Sequence, residues 1–172
     1  MKIGIMLGDN TKYGSKTNLE NFVLYDKFSV DLIARFPNNC NIELQVVQRT
    51  AIRALHTKIN NNGFDFVIAL DCSSKHAPSL NPQILYLRDS LKTHKIAQNF
   101  AQSMKRVPEF RNVTAQFRNV SDIEGYPFSH IEVPCIIAKP FQGDNLQETL
   151  NNYQSLISVY IQAIQSSVKL LQ

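Results

Sequence analysis

The sequence contains no tryptophan and only three cysteines among 172 residues. Those cysteines, Cys40, Cys72 and Cys135, form no close-spaced pair. An odd number without Cys-x-x-Cys spacing argues against both a disulfide framework and a cysteine-ligated zinc site. No internal repeat, linker or low-complexity segment is present, and no apolar run approaches the length of a membrane span. The opening run, MKIGIMLGDN, breaks at a glycine and an aspartate. It is too short for the apolar part of an export signal and lacks a small-residue cleavage site. A cytoplasmic protein is therefore expected, reaching the outside only through lysis or another export route. The aromatic-plus-basic repeat of a nucleic-acid platform is also missing, so neither nucleic acid nor membrane is expected as a partner.

What is present suits one globular domain over residues 1–172. Hydrophobic residues make up 44% and charged residues 19%, both near globular averages. A chain this long buries roughly 70% of its unfolded surface on folding. The net charge of +4 is a mild excess. Part of it lies between Arg88 and Arg118, where seven Lys and Arg face only Asp89 and Glu109. Such a distribution is read first as a solvated helix face and second as an attraction for polyanions.

Hydrophobic patterning predicts alternating strands and helices. Strands are expected at 2–7, 42–47, 64–70, 82–87 and 133–138, with 64–70 (FDFVIAL) the clearest. Helices are expected from the capping box Thr17-Asn18-Leu19-Glu20 to about Phe36, from Thr50 to about Asn60, from Ser90 to about Arg106, and over roughly 145–171. Residues 107–131 are the least readable and suggest only short strands and turns. The alternation implies an α/β three-layer sandwich: a mostly parallel sheet of about six strands with helices on both faces. In such sheets, sites form beyond the carboxyl ends of the strands. Asp9, Asp71 and Lys139 follow three predicted strands, and Glu20 opens the first helix, so all four are candidates for one rim.

Segment by segment, the chain resembles the zinc-dependent N-acetylmuramoyl-L-alanine amidases, which cleave peptidoglycan between N-acetylmuramic acid and L-alanine. Ile3–Asn10 resembles the family's first strand and Pro-Gly-His-Gly turn, with Gly8-Asp9 where Gly-His is expected. Val46–Arg49 is similar to the strand ending in Leu-Thr-Arg, and FVIALDCS (66–73) to Phe-Ile-Ser-Ile-His-Ala-Asn. Ile84–Leu87 and Ser90–Met104 resemble the next strand and helix, and VPCIIAKPFQGDN (133–145) the closing segment.

The resemblance implies a zinc held by His, Glu and His, with a glutamate after the last strand as general base. That chemistry needs neutral imidazoles and an open position where bound water approaches a pKa near 7. The matching positions here are Asp9, Glu20, Asp71 and Lys139, so only the glutamate ligand is retained. The four histidines, His56, His76, His94 and His130, stand elsewhere. A lysine that stays protonated cannot serve as the base. Each residue also has a plain structural reading. Glu20 completes the capping box, Asp9 suits a Gly-Asp-Asn turn, and Lys139 can snorkel to solvent. Asp71 directly after a buried strand needs a partner.

Three converging carboxylates need a cation or a proton. Either the Lys139 ammonium replaces the zinc, leaving no cofactor, or an all-oxygen site takes a divalent ion, Zn²⁺ or a harder Mg²⁺, Mn²⁺ or Ca²⁺. The first is preferred, since a fixed ammonium competes with metal. The expected function is that of a degenerate amidase acting by binding, either to peptidoglycan fragments or to a protein partner. The alternative is a divergent metal-dependent amidohydrolase of the same amide bond. A Cys72–His76 nucleophile is a weaker option, as free cysteines are usually buried and inert. Composition rich in Asn and Lys would suit a phage or bacterial source.

Overall fold

The structure is a computed structural model, which describes residues 1–7, 16–38, 40–48, 52–70, 83–86, 90–118, 130–139 and 146–171. Six strands are present among these residues: β1 (Lys2–Met6), β2 (Glu43–Val47), β3 (Phe66–Leu70), β4 (Gln83–Tyr86), β5 (Ala115–Phe117) and β6 (Cys135–Lys139). Four helices accompany them: α1 (Lys16–Arg35), α2 (Ile52–Asn61), α3 (Leu91–Met104) and α4 (Leu146–Leu171). A single 3₁₀ turn, Pro108–Phe110, follows α3. The strands form one sheet in the order β2-β1-β3-β6-β4-β5. Every pairing is parallel except β4 with β6. The α/β class, the mostly parallel sheet and the strand number all agree with the sequence reading.

The central strands β1, β3 and β6 are buried on both faces, which is why they read as continuous apolar runs rather than alternating ones. One face carries Ile3, Ile5, Phe66, Ile68, Ile84 and Ile136, packed against Phe28 and Leu32 of α1, Phe100 of α3 and Tyr160 of α4. The other carries Met6, Val67, Ala69 and Ile137, packed against Leu55 and Ile59 of α2. Gly4 is required by close approach on that second face. A Cβ there would lie 3.2 Å from a Val67 methyl and 3.3 Å from a Val47 methyl.

Helical periodicity is confirmed where it was clearest. Ile96, Phe100 and Met104 are fully buried along one stripe of α3, whose N-cap Ser90 accepts from the Thr93 N–H at 3.1 Å. The capping box at Thr17 is a correction. α1 already runs from Lys16, so Thr17 and Glu20 lie inside its first turns. The helix therefore starts two residues earlier than the motif implies. Lys139 is likewise the last residue of β6 rather than the first after it, because the ladder continues to Gln83.

Candidate functional site at the carboxyl rim

Strand order decides which residues share a rim. β1, β3 and β6 are adjacent and parallel, so their carboxyl ends, at Met6–Leu7, Leu70 and Lys139, lie side by side. Adjacency of these three strands is the condition under which residues that follow them share a rim. Asp9 lies two residues beyond Leu7 in sequence and Asp71 one residue beyond Leu70; both fall outside the described residues, as does the side chain of Glu20. Cys72 and His76 fall outside them too.

Lys139 is described, and it is only 2% exposed. It therefore does not snorkel. A protonated amine so far from water is costly unless a polar or anionic group faces it, and Lys139 is not without a partner. Alternation along β6 assigns it a face. Cys135 and Ile137 pack on the α2 side, Ile136 and Ala138 on the other, so Lys139 takes the α2 side. Across the ladder, Val67 pairs with Cys135 and Ala69 with Ile137 on that same side. Its antiparallel neighbour is Gln83 of β4. Gln83 was not singled out from the sequence, because strand direction leaves no mark on residue pattern.

Three of the four histidines are described, and they gather away from this rim. His130 precedes β6 and so stands at the sheet's amino end, where its ring meets His56 of α2 at 5.2 Å between centroids. The Asn60 amide ties this segment down, donating to the His130 carbonyl at 2.9 Å and accepting from the Glu132 N–H at 3.0 Å. His94 stacks on Tyr86, whose strand runs antiparallel to β6 and so ends at the amino rim as well.

The same fold recurs in solved structures. The fold is that of the N-acetylmuramoyl-L-alanine amidases. An amidase from Clostridium difficile 630 superposes with a TM-score of 0.72 at 12% identity, covering 98% of this chain and 96% of its own. The catalytic domain of the CD27L endolysin, which targets that organism, gives 0.73 at 14% identity, covering 96% and 97%. The CwlD amidase of Clostridioides difficile, solved in complex with the GerS lipoprotein, gives 0.61 at 15% identity, covering 97% and 98%. No family model and no curated protein matches the sequence.

Among the described residues, no group of three or more His, Cys, Asp or Glu could hold a metal. His130 precedes β6 and so stands at the opposite end of the sheet, and β6 ends on the buried Lys139. A fixed positive charge opposes a second cation placed within a few ångströms of it.

Proposed function

We propose that this chain is an amidase-fold protein that binds peptidoglycan fragments in the carboxyl-rim cleft without cleaving them, with Lys139 standing in for the lost metal. The observation that carries this is the burial of Lys139 at the end of β6. Leu70 pairs with Ala138, Lys139 follows Ala138 on the α2 side, and Asp71 follows Leu70 in sequence. In this reading Asp71 is the anion that faces Lys139, with Asp9 and Glu20 nearby. Carboxylates about 4 Å apart repel by roughly 4 kcal/mol at an effective dielectric near 20, and one ammonium among them removes most of that repulsion. The remaining charged and polar groups can hold the amide and carboxylate groups of a muramoyl peptide. None of them supplies an activated water.

The test begins with metal. After dialysis against Zn²⁺, Mn²⁺, Mg²⁺ and Ca²⁺, elemental mass spectrometry should find far less than one equivalent bound. Calorimetry with a soluble muramoyl peptide should then give heat of binding with no release of peptide product. Near-stoichiometric metal lost in Asp71→Ala, together with chelator-sensitive cleavage, would overturn the reading in favour of a metal-dependent amidohydrolase. Absence of muramoyl-peptide binding would also overturn it. A protein partner would then take precedence, as the CwlD amidase held by a lipoprotein illustrates for the fold.

A further inference from the structure

Gln83 opens β4 and lies directly opposite Lys139, the last residue of β6. Because β4 runs against β6, the start of β4 stands at the same rim as the end of β6. Residues directly opposite in an antiparallel pair project from one side of the sheet, with Cβ atoms about 4.5–5.5 Å apart. Alternation along β4 agrees: Ile84 packs with α1 and Leu85 with α2, so Gln83 takes the α2 side beside Lys139. Between the rims that side is built from Met6, Val67, Ala69, Leu85, Cys135 and Ile137. Polarity returns at the carboxyl rim in the Gln83–Lys139 pair, and its two members differ in access. Lys139 is 2% exposed, whereas Gln83 is half-buried. The ammonium offers a ligand almost no surface and acts through its charge. Gln83 is the member of the pair that reaches the surface.

A carboxamide carries an acceptor oxygen and two N–H donors on one planar group, without charge. A ligand carboxylate asks for donors alone. An extended peptide residue asks for both, since its own N–H and C=O point the same way, as they do toward a neighbouring antiparallel strand. A glutamine side chain can bridge those two groups, accepting from the N–H through Oε1 and donating to the C=O through Nε2. A site built on such a pair discriminates sharply, because an analogue lacking one partner leaves a protein group unpaired. Lys139 holds the position that the amidase resemblance assigns to the residue acting at the muramoyl–alanine bond. Its cross-strand neighbour therefore faces the first residue of the stem peptide.

We propose that Gln83 is the specificity-determining residue of the rim and bridges the N–H and C=O of the L-alanine that follows the muramoyl group. This assignment rests on the reading of the rim as a muramoyl-peptide cleft and names the side chain that recognises the peptide there. Lys139 holds the rim together by its charge, and Gln83 makes the contact.

Calorimetry on the full chain with two soluble probes tests this. One is N-acetylmuramoyl-L-alanyl-D-isoglutamine; the other has L-lactate in place of L-alanine, which exchanges the N–H for an ester oxygen. The wild type should favour the amide probe by about ten-fold, since the ester leaves Oε1 without its donor. Gln83→Leu should bind the amide probe about ten-fold more weakly and show no preference between the two. Gln83→Glu keeps the acceptor and loses the donor, so it should retain the preference at lower affinity. Circular dichroism should be unchanged in both variants, as Gln83 is half-buried at a strand end. A merely structural role for Gln83 would weaken both probes alike. Equal binding of the two probes by the wild type, or an unchanged preference in Gln83→Leu, overturns the assignment of Gln83 and leaves the cleft reading intact. Failure of the wild type to bind the amide probe overturns the cleft reading, and this assignment with it.

Discussion

Tyr160 is fully buried between Phe28 and Phe100, and its hydroxyl finds no hydrogen-bond partner among the described residues. Burial pushes the phenol pKa far above its ordinary value near 10. The neutral form is thus favoured in the fold, so its contribution is complete below pH about 10 and is lost above it, where only the unfolded chain ionises. Tyr153 of α4 behaves alike, first through burial and then because its hydroxyl donates to Asp31 at 2.8 Å. Stability should therefore fall with rising pH above about 10, by up to about 1.4 kcal/mol per unit for each tyrosine. Tyr160→Phe should halve that slope. At neutral pH the same variant should be more stable by about 1 kcal/mol, because it removes an unsatisfied polar atom without changing shape. Urea denaturation at pH 7 and pH 11 checks both; a marked loss of stability at pH 7 would mean that the hydroxyl has a partner. Asp31, held below its ordinary value by Lys27 and then Tyr153, contributes in the opposite window, above its ordinary value of 3.8.

The pairing of α3 and α4 depends on one polar seam inside an apolar contact. The two N–H groups of the Asn99 amide are shared among the Ala163 carbonyl at 2.9 Å and the Ser166 and Ser167 hydroxyls at 2.8 Å each, and the Ser166 hydroxyl donates to Asn99 Oδ1 at 3.1 Å. Ala97, Ala101, Ser103, Ala163 and Ser167 are buried in the same helices, and small side chains let the two backbones approach. Ala163→Leu should cost about 1–3 kcal/mol through overpacking. Asn99→Leu should cost a similar 1–3 kcal/mol by leaving the buried Ser167 hydroxyl unsatisfied. Thermal melts of the two variants and their double mutant should show non-additive losses, since both act on one seam. The apolar stripe of α4 at Tyr153, Ile157, Tyr160, Ile164 and Val168 was legible from spacing alone. Its partner was not: an amphipathic stripe states that something covers it, but which helix does so depends on topology. The short strand β5 was illegible for a related reason, as its three residues are too few to show a period.

For the molecule as a whole, the decisive substitution is at Lys139. If it faces Asp71, Lys139→Met leaves a carboxylate without its counter-ion and should destabilise the protein by about 3–5 kcal/mol. Asp71→Asn added to Lys139→Met should recover part of that loss. A double-mutant cycle from urea denaturation reads the coupling directly, and simple additivity would show that the two groups do not interact. Lys139→Glu is expected to be less stable than Lys139→Met under metal-free conditions, because it adds a further negative charge to the cluster.

Sequence by itself determined the alternation of strands and helices, the burial of the central strands on both faces and the resemblance to the amidases. Each of these follows from local periodicity and ordered motifs, which depend only on neighbours in the chain. It also named Asp9, Asp71 and Lys139 as the positions at odds with that resemblance. Tertiary structure alone decided that β1, β3 and β6 lie side by side, that β4 runs against them and that Lys139 is sealed from water. It alone brought Tyr86, His94 and Phe117 together, from two parallel strands and a helix. Strand order, strand direction and burial are set by packing between residues far apart in sequence, and no short-range pattern encodes them.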